Sequence, residues 1–113
     1  DRKEKDGVPY WRHIRRKYAR RIPLLLDCFW CEGYPHHTDS PPPLRTGWLG
    51  ETASYMQRFC VDRHMGYTNG LFYDLSVRPL SLKELWRIKW NPQFDLAAPL
   101  PVWPAWMEGF QEP

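Results

Sequence analysis

The sequence lacks a long apolar run. Its longest hydrophobic stretch, residues 22–30, is interrupted by Pro23 and Asp27, whereas a membrane-spanning helix needs about 20 consecutive apolar residues. We therefore expect no transmembrane span. The chain does not begin with Met and shows no secretory signal, which is what a processed or trimmed product would look like.

The sequence also lacks the short motifs that carry catalysis. It contains no glycine-rich phosphate loop, no dinucleotide-binding fingerprint and no His-Glu-x-x-His motif. Its carboxylates are scattered, and neither His13 nor His64 has a serine, thiolate or carboxylate at a spacing typical of a catalytic triad. We therefore predict no catalytic residues and a protein that is not an enzyme.

Aromatic residues and proline are abundant instead. Seven Trp, six Tyr and five Phe accompany twelve Pro in a chain of 113 residues, the length of one small domain. Proline withholds a backbone donor and divides a chain into short elements, whereas disordered chains have few aromatic residues. We predict a mainly α, small and irregular fold, in which short helices are joined by proline-rich extended segments.

Helical patterns mark four segments. The longest is expected to form the centre of the fold, since Trp48, Tyr55 and Phe59 lie on one helical face and Gly66 can end the helix in the left-handed conformation. Ser81 and Glu84 have the spacing of a capping box. The predicted helices cover about 9–22, 23–31, 47–65 and 82–90. A buried strand is the alternative for the second segment.

An Asn-Gly pair at residues 69–70 favours a tight turn and predicts a small hairpin near 67–75.

The predicted elements divide the chain into three parts: a basic N-terminal arm or helix over 1–22, a small helical hub over 23–90 and an extended C-terminal arm, rich in Pro and Trp, over 91–113. The arm could fold back over the hub or lie in a groove on a neighbour. We expect the neighbour, with these partner anchors: Trp11, Trp103, Trp106 and Phe110.

Positive charge is concentrated at the N-terminal end. Residues 1–22 hold nine Lys or Arg against three acidic residues, whereas the remainder holds seven against ten. A basic amphipathic helix of this kind suits an acidic protein face, anionic lipid headgroups or RNA phosphates. The predicted partner- and anion-binding residues are Arg12, Arg15, Arg16, Lys17, Arg20 and Arg21. The alternative is a solvated basic face whose aromatic side packs on the chain's own core.

The cysteines admit a metal site. Cys28 and Cys31 have the spacing of a zinc knuckle, and Cys60 and His64 could complete a Cys₃His set. Against zinc, the knuckle interior is bulky, and Cys60 falls on the aromatic face, where a free thiol behaves as a small hydrophobe. We therefore expect no cofactor and treat zinc as the alternative, behind buried or disulfide-bonded cysteines.

The bias toward Arg, Trp and Pro is similar to that of supernumerary subunits of mitochondrial assemblies. That resemblance is compositional, and it implies a non-catalytic accessory subunit of an inner-membrane complex, either a respiratory complex or the ATP synthase. Such a subunit would stabilise neighbouring subunits and lie peripherally at the membrane. One alternative is a mitochondrial ribosomal protein that contacts rRNA through residues 10–22. The other is a small zinc-binding module.

Overall fold

The N-terminal residues form a two-stranded hairpin where a helix over 9–22 was predicted. The computed structural model describes residues 2–5, 8–11, 16–29, 33–45 and 54–113. Strand β1 (Arg2–Lys5) pairs antiparallel with β2 (Val8–Trp11), and a 3₁₀ helix comes next at Arg16–Tyr18. Val8 and the aromatic pair of β2 favour extended backbone. Pro9 is tolerated in this strand, because a two-stranded ribbon has only edge strands.

A three-stranded antiparallel sheet organises the rest, with the strands in the order β3–β4–β5. Strand β3 (Pro23–Leu26) replaces the helix predicted over 23–31, so the strand alternative is the correct one for this part of the segment. Leu25 lies opposite Leu71 and Leu26 opposite Gly70, with an irregularity after Pro23. Proline suits this place because it opens an edge strand, where no ladder hydrogen bond is lost.

The predicted hairpin exists, but its turn lies beyond the Asn-Gly pair. Strands β4 (Tyr67–Phe72) and β5 (Val77–Ser81) are antiparallel, and Asn69 lies within β4 opposite Pro79. Asp74 makes the turn, since its Oδ1 accepts hydrogen bonds from the backbone N and the hydroxyl of Ser76 at 3.0 and 2.6 Å. This local side-chain-to-backbone bonding fixes the turn.

The helix predicted over 47–65 is wrong in its described part, residues 54–65. Only a 3₁₀ helix at Tyr55–Arg58 forms there, while residues 47–53 lie outside the described residues. Met56 and Cys60 are fully buried. The apolar residues of this segment therefore reach the core without forming a continuous helix. Gly66 does adopt a left-handed φ of +90°, and its backbone N donates to Asp62 Oδ1 at 2.7 Å.

The capping signal at Ser81 correctly marks the start of a helical turn, but the α-helix predicted over 82–90 is wrong. Ser81 accepts a hydrogen bond from the backbone N of Lys83, at 3.3 Å, and begins a 3₁₀ helix at Leu82–Arg87. The chain becomes extended at Ile88, and the backbone N of Lys89 then donates to the carbonyl of Arg21 at 2.6 Å. This hydrogen bond ties the end of the 3₁₀ helix to the segment before β3.

The C-terminal arm folds back onto the chain's own core, which overturns the expectation that it lies on a neighbour. Phe94 and Met107 have no exposed surface. The Trp103 ring packs edge-on against Trp86, with centroids 5.2 Å apart, and a last 3₁₀ helix spans Ala105–Met107. These residues belong to the hydrophobic cluster that also contains the side chains of Met56, Phe72, Leu80, Leu85 and Trp86.

Polar contacts close the arm over the core. The indole N of Trp106 donates to the carbonyl oxygen of Pro42 at 2.8 Å. Lys83, whose side chain is 4% exposed, pairs with Glu112 at 2.6 Å, and the Ser81 hydroxyl donates to the carbonyl of Gln111 at 2.5 Å. Buried polar groups with such partners hold the last residues in one arrangement.

The prediction of a mainly α fold is therefore wrong. In the described part of the chain, helical structure consists of short 3₁₀ turns around a small antiparallel sheet. The frequent prolines shorten every element, and the apolar side chains reach one shared core from an irregular backbone. No helix within the described ranges combines the length and the apolar character that a membrane crossing requires.

A candidate anion-binding cleft

A basic cleft of about 590 Å³ opens where the first 3₁₀ helix meets the sheet. Five cationic side chains and one carboxylate line it, which leaves a strongly positive field in a concave space. The complete lining consists of Lys17, Arg20, Arg21, Arg78, Glu84, Arg87, Ile88 and Pro113.

Backbone hydrogen bonds fix the segment that carries three of these cations. The carbonyl of Ala19 accepts from the backbone N of Asp74 at 3.1 Å, and the carbonyl of Ile22 accepts from Tyr73 at 2.9 Å. The carbonyl of Arg21 accepts from Lys89. Residues 19–22 are therefore held between the turn that joins β4 to β5 and the residues that follow the 3₁₀ helix Leu82–Arg87.

Arg78 is the most firmly positioned cation. Its Nη2 donates to the carbonyl oxygen of Arg20 at 2.8 Å, and its guanidinium lies 3.8 Å from the centroid of the Phe72 ring. Its Nη1 is buried and has no hydrogen-bond partner among the described residues. A desolvated cationic donor without an acceptor is unfavourable, so this group has hydrogen-bonding capacity to spare.

The other lining groups differ in how far the protein already uses them. Arg87 donates from Nη1 to the carbonyl of Ala98 at 2.9 Å. Within the described ranges, no hydrogen bond or ion pair engages the side chains of Arg20, Arg21 or Glu84. Two arginine forks at the cleft are thus free for an external acceptor, and one carboxylate partly offsets their charge.

The field of the cluster extends to Asp74. Hydrogen bonds from the side chain and backbone of Ser76 lower the pKa of this exposed carboxyl most, and the positive charges of Arg78 and Arg20 lower it further. The positive charges of Arg20 and Arg78, which both line the cleft, therefore also act on the Asp74 carboxyl in the turn between β4 and β5.

The cleft contains half of the basic residues that the sequence singled out. Lys17, Arg20 and Arg21 line it. Arg12 and Arg15 lie outside the described residues, and only the backbone of Arg16 is described. The sequence analysis missed Arg78 and Arg87, which no motif marks. Only knowledge of the pairing between β4 and β5 could have placed Arg78 beside residue 20.

The predicted zinc residues are not assembled into a site in the described part of the chain. Cys60 is buried, and burial, reinforced by the charge of Asp62, raises the pKa of its thiol, which opposes the thiolate that zinc needs. Cys28 is half-buried, and Cys31 lies outside the described residues. His64 pairs instead with Asp27, at 3.1 Å. No three potential metal ligands cluster within the described ranges.

The predicted partner anchors are accounted for differently. Trp103, Trp106 and Phe110 pack against the hydrophobic core. Trp11 is half-buried in β2, and its indole N is buried without a hydrogen-bond partner in the described part of the chain. Three of the four rings therefore serve the chain's own core.

Comparison with known proteins assigns no family to this chain. No protein-family model matches the sequence, and no match was found among curated proteins or among solved structures.

Proposed function

We propose that this chain is a non-catalytic binding protein, an accessory subunit that docks on a negatively charged partner through its basic cleft. The observation that carries the proposal is the convergence of five cationic side chains on one concave surface. Charge of one sign in a cleft attracts and orients an oppositely charged partner.

Binding is assigned to the cleft rather than to the C-terminal arm. The arm was expected to wrap a neighbour, but Phe94 and Met107 are buried in the chain's own core and Trp106 is hydrogen-bonded to Pro42. A large contribution of this arm to an external interface would require it to leave that core. The cleft, by contrast, is open and rich in cations.

The lining groups suit binding better than chemistry. Guanidinium groups form paired hydrogen bonds with oxyanions and keep their charge at every physiological pH. Glu84 is the carboxylate of the cleft, and general acid–base chemistry normally pairs such a group with a second titratable residue. Beside Glu84, the described lining supplies Lys17 and four arginines, but no histidine, cysteine or second acidic side chain for that role.

The proposed setting is a large mitochondrial inner-membrane assembly, a respiratory complex or the ATP synthase. Its support is the composition rich in Arg, Trp and Pro, which is similar to that of supernumerary subunits. In this setting the partner is a negatively charged surface at the membrane, formed by a neighbouring subunit or by anionic lipid headgroups.

Charge-reversed variants test the proposal by co-purification. We would express the tagged chain as wild type, Arg21→Glu and Arg63→Glu, and quantify the proteins recovered with each from mitochondria. Arg21 lines the cleft, whereas Arg63 is exposed on another loop and is not among the lining residues. We expect the wild type and Arg63→Glu to recover the same assembly and Arg21→Glu to lose most of it.

Equal recovery by all three chains would contradict docking through the cleft. Recovery of rRNA and ribosomal proteins, abolished by ribonuclease, would replace the proposal with the ribosomal alternative. Thermal melts of the three chains must agree, so that a loss of partner cannot be attributed to unfolding.

A further inference from the structure

We infer that the basic cleft is a site for a phosphoryl group, either a phosphate monoester or a diphosphate. This inference deepens the proposed function and rests on the assignment of binding to the cleft. It concerns the chemical class of the ligand, which the proposed docking leaves open.

The cleft has room for a phosphoryl group together with part of the molecule that carries it, and its lining is strongly basic. A volume of about 590 Å³ lies within the range of roughly 300–1,000 Å³ that is typical of ligand sites. Four of its five cations are arginines, whose planar forks match the oxygens of a phosphate group. Arginines from three separate segments can approach one tetrahedral anion from different directions.

Arg78 is already oriented for this task. Its contact with the Phe72 ring and its hydrogen bond to the carbonyl of Arg20 hold the guanidinium in place. Arg78 lines the cleft and forms no ion pair in the described part of the chain, so an anion bound there would supply a counter-charge for its guanidinium. A fixed guanidinium loses little further freedom on binding.

The balance of charge favours phosphate over carboxylate. Five cationic side chains face one acidic side chain, Glu84, in the cleft. A second carboxylate would bring one negative charge, whereas a phosphate monoester brings about 1.5 to 2 at neutral pH and three acceptor oxygens. The phosphoryl group therefore compensates more of the field within the same space.

The lining also argues for the phosphoryl group itself rather than for a nucleic acid. Proteins that bind single-stranded RNA stack bases on aromatic rings. The cleft is lined by charged side chains, Ile88 and Pro113, with no aromatic ring among its described lining residues. The described lining can hold a phosphate but offers no aromatic ring on which a base would stack.

Isothermal titration calorimetry with inorganic pyrophosphate tests the inference on the intact chain. Citrate serves as the carboxylate control. We expect pyrophosphate to bind more tightly than citrate, and we expect Arg20→Gln to weaken pyrophosphate binding by about tenfold. Arg63→Gln removes the same charge outside the cleft and should leave the affinity within about twofold of the wild type.

Arg78→Lys separates geometry from charge. It keeps the positive charge but loses the fork and the stacking on Phe72, so we expect a loss of affinity similar to that of Arg20→Gln. Equal binding of pyrophosphate and citrate, or equal losses in Arg20→Gln and Arg63→Gln, would overturn the inference. If Arg78→Lys melts at a lower temperature than the wild type, its loss of affinity is not used, and the comparison of Arg20→Gln with Arg63→Gln tests the inference.

Vesicles distinguish the two sources of the phosphoryl group. We would measure binding to phosphatidylcholine vesicles that contain either phosphatidate or an equal surface charge of oleate. Binding to phosphatidate that free pyrophosphate displaces identifies a lipid headgroup, whereas binding of pyrophosphate alone identifies a soluble phosphate. Two results would contradict the inference. One is that the chain binds neither vesicles nor pyrophosphate; the other is that it binds oleate vesicles as tightly as phosphatidate vesicles. The proposed docking would still be supported if the wild type recovers the assembly and Arg21→Glu does not.

Discussion

Trp106 offers a direct test of the packing of the C-terminal arm. Its ring packs against the core and lies edge-on to Phe110, with centroids 6.0 Å apart, and its indole N donates to the carbonyl of Pro42 at 2.8 Å. We consider two substitutions, Trp106→Phe and Trp106→Ala. The first removes the hydrogen bond and keeps most of the ring, whereas the second also removes the ring.

The magnitudes follow from these contacts. Replacing a fully buried Trp by Ala costs about 3–5 kcal/mol, and about half of that applies to the half-buried ring of Trp106. The lost hydrogen bond adds about 1 kcal/mol. We therefore expect Trp106→Ala to lower the free energy of unfolding by about 3 kcal/mol. Trp106→Phe should lower it by about 1–2 kcal/mol, because Pro42 is buried and its carbonyl would be left without this donor.

Urea denaturation followed by far-ultraviolet circular dichroism measures both losses, since this signal does not depend on the Trp that is removed. Val102→Ala is the matched control, because this side chain in the same arm is 93% exposed. We expect its unfolding midpoint to equal that of the wild type. If Trp106→Ala is as stable as Val102→Ala, the arm is not part of the core, and the neighbour-bound arrangement would have to be reconsidered.

Four further predictions concern local features. Asp74→Asn should lower the free energy of unfolding at pH 7, because the hydrogen bonds and charges that lower the pKa of Asp74 stabilise its ionised form. The difference from the wild type should shrink as the pH falls below the ordinary carboxyl pKa of 3.8 and this carboxyl becomes protonated. The Cys60 thiol should react with a disulfide reagent at pH 8 only after urea unfolds the chain, since burial raises its pKa. Gly66→Ala should cost about 1–3 kcal/mol in thermal melts, because its φ is +90° and a Cβ would lie 2.9 Å from the Phe110 ring. Elemental analysis of the purified chain should find no stoichiometric zinc.

Each of these predictions has a control variant or an outcome that would contradict it. Gly109→Ala shares a positive φ but meets no atom within 4 Å, so Gly66→Ala must cost more if the contact with the ring matters. Ser76→Ala should reproduce part of the pH-dependent effect at Asp74, because it removes the side-chain hydrogen bond to that carboxylate. Rapid reaction of Cys60 in the native chain would contradict its burial. Stoichiometric zinc whose removal unfolds the chain would establish the zinc-binding alternative.

Sequence patterns located several local features because neighbouring residues determine them. Ser81 caps a helical turn through its own hydroxyl, and Gly66 adopts the left-handed conformation that glycine tolerates. The hairpin was placed in the right region, but Asp74 rather than Asn69 makes its turn. The Asn-Gly signal failed because Gly70 serves packing instead, with a Cβ position only 2.8 Å from the Leu26 side chain.

The remaining features depend on contacts between distant residues, which periodicity does not encode. Helical spacing placed Tyr55 and Phe59 on one apolar face; Phe59 is buried in the core, but Tyr55 is 40% exposed, and the segment forms a short 3₁₀ turn. Trp106 finds its acceptor at Pro42, 64 positions earlier. Similarly, Arg78 joins the cleft because β5 pairs with β4. The sequence therefore showed three of the five cations of the cleft, but not how distant segments bring them together.

Nuclear magnetic resonance of the arginine side chains tests the central claim most directly. Inorganic pyrophosphate would be titrated into the ¹⁵N-labelled chain while the Nε–Hε resonances are monitored. The account predicts saturable shifts for Arg20, Arg21, Arg78 and Arg87, the arginines that line the cleft, and an unchanged resonance for Arg63. Uniform, non-saturating shifts of all arginines, or shifts that leave Arg78 unaffected, would contradict it.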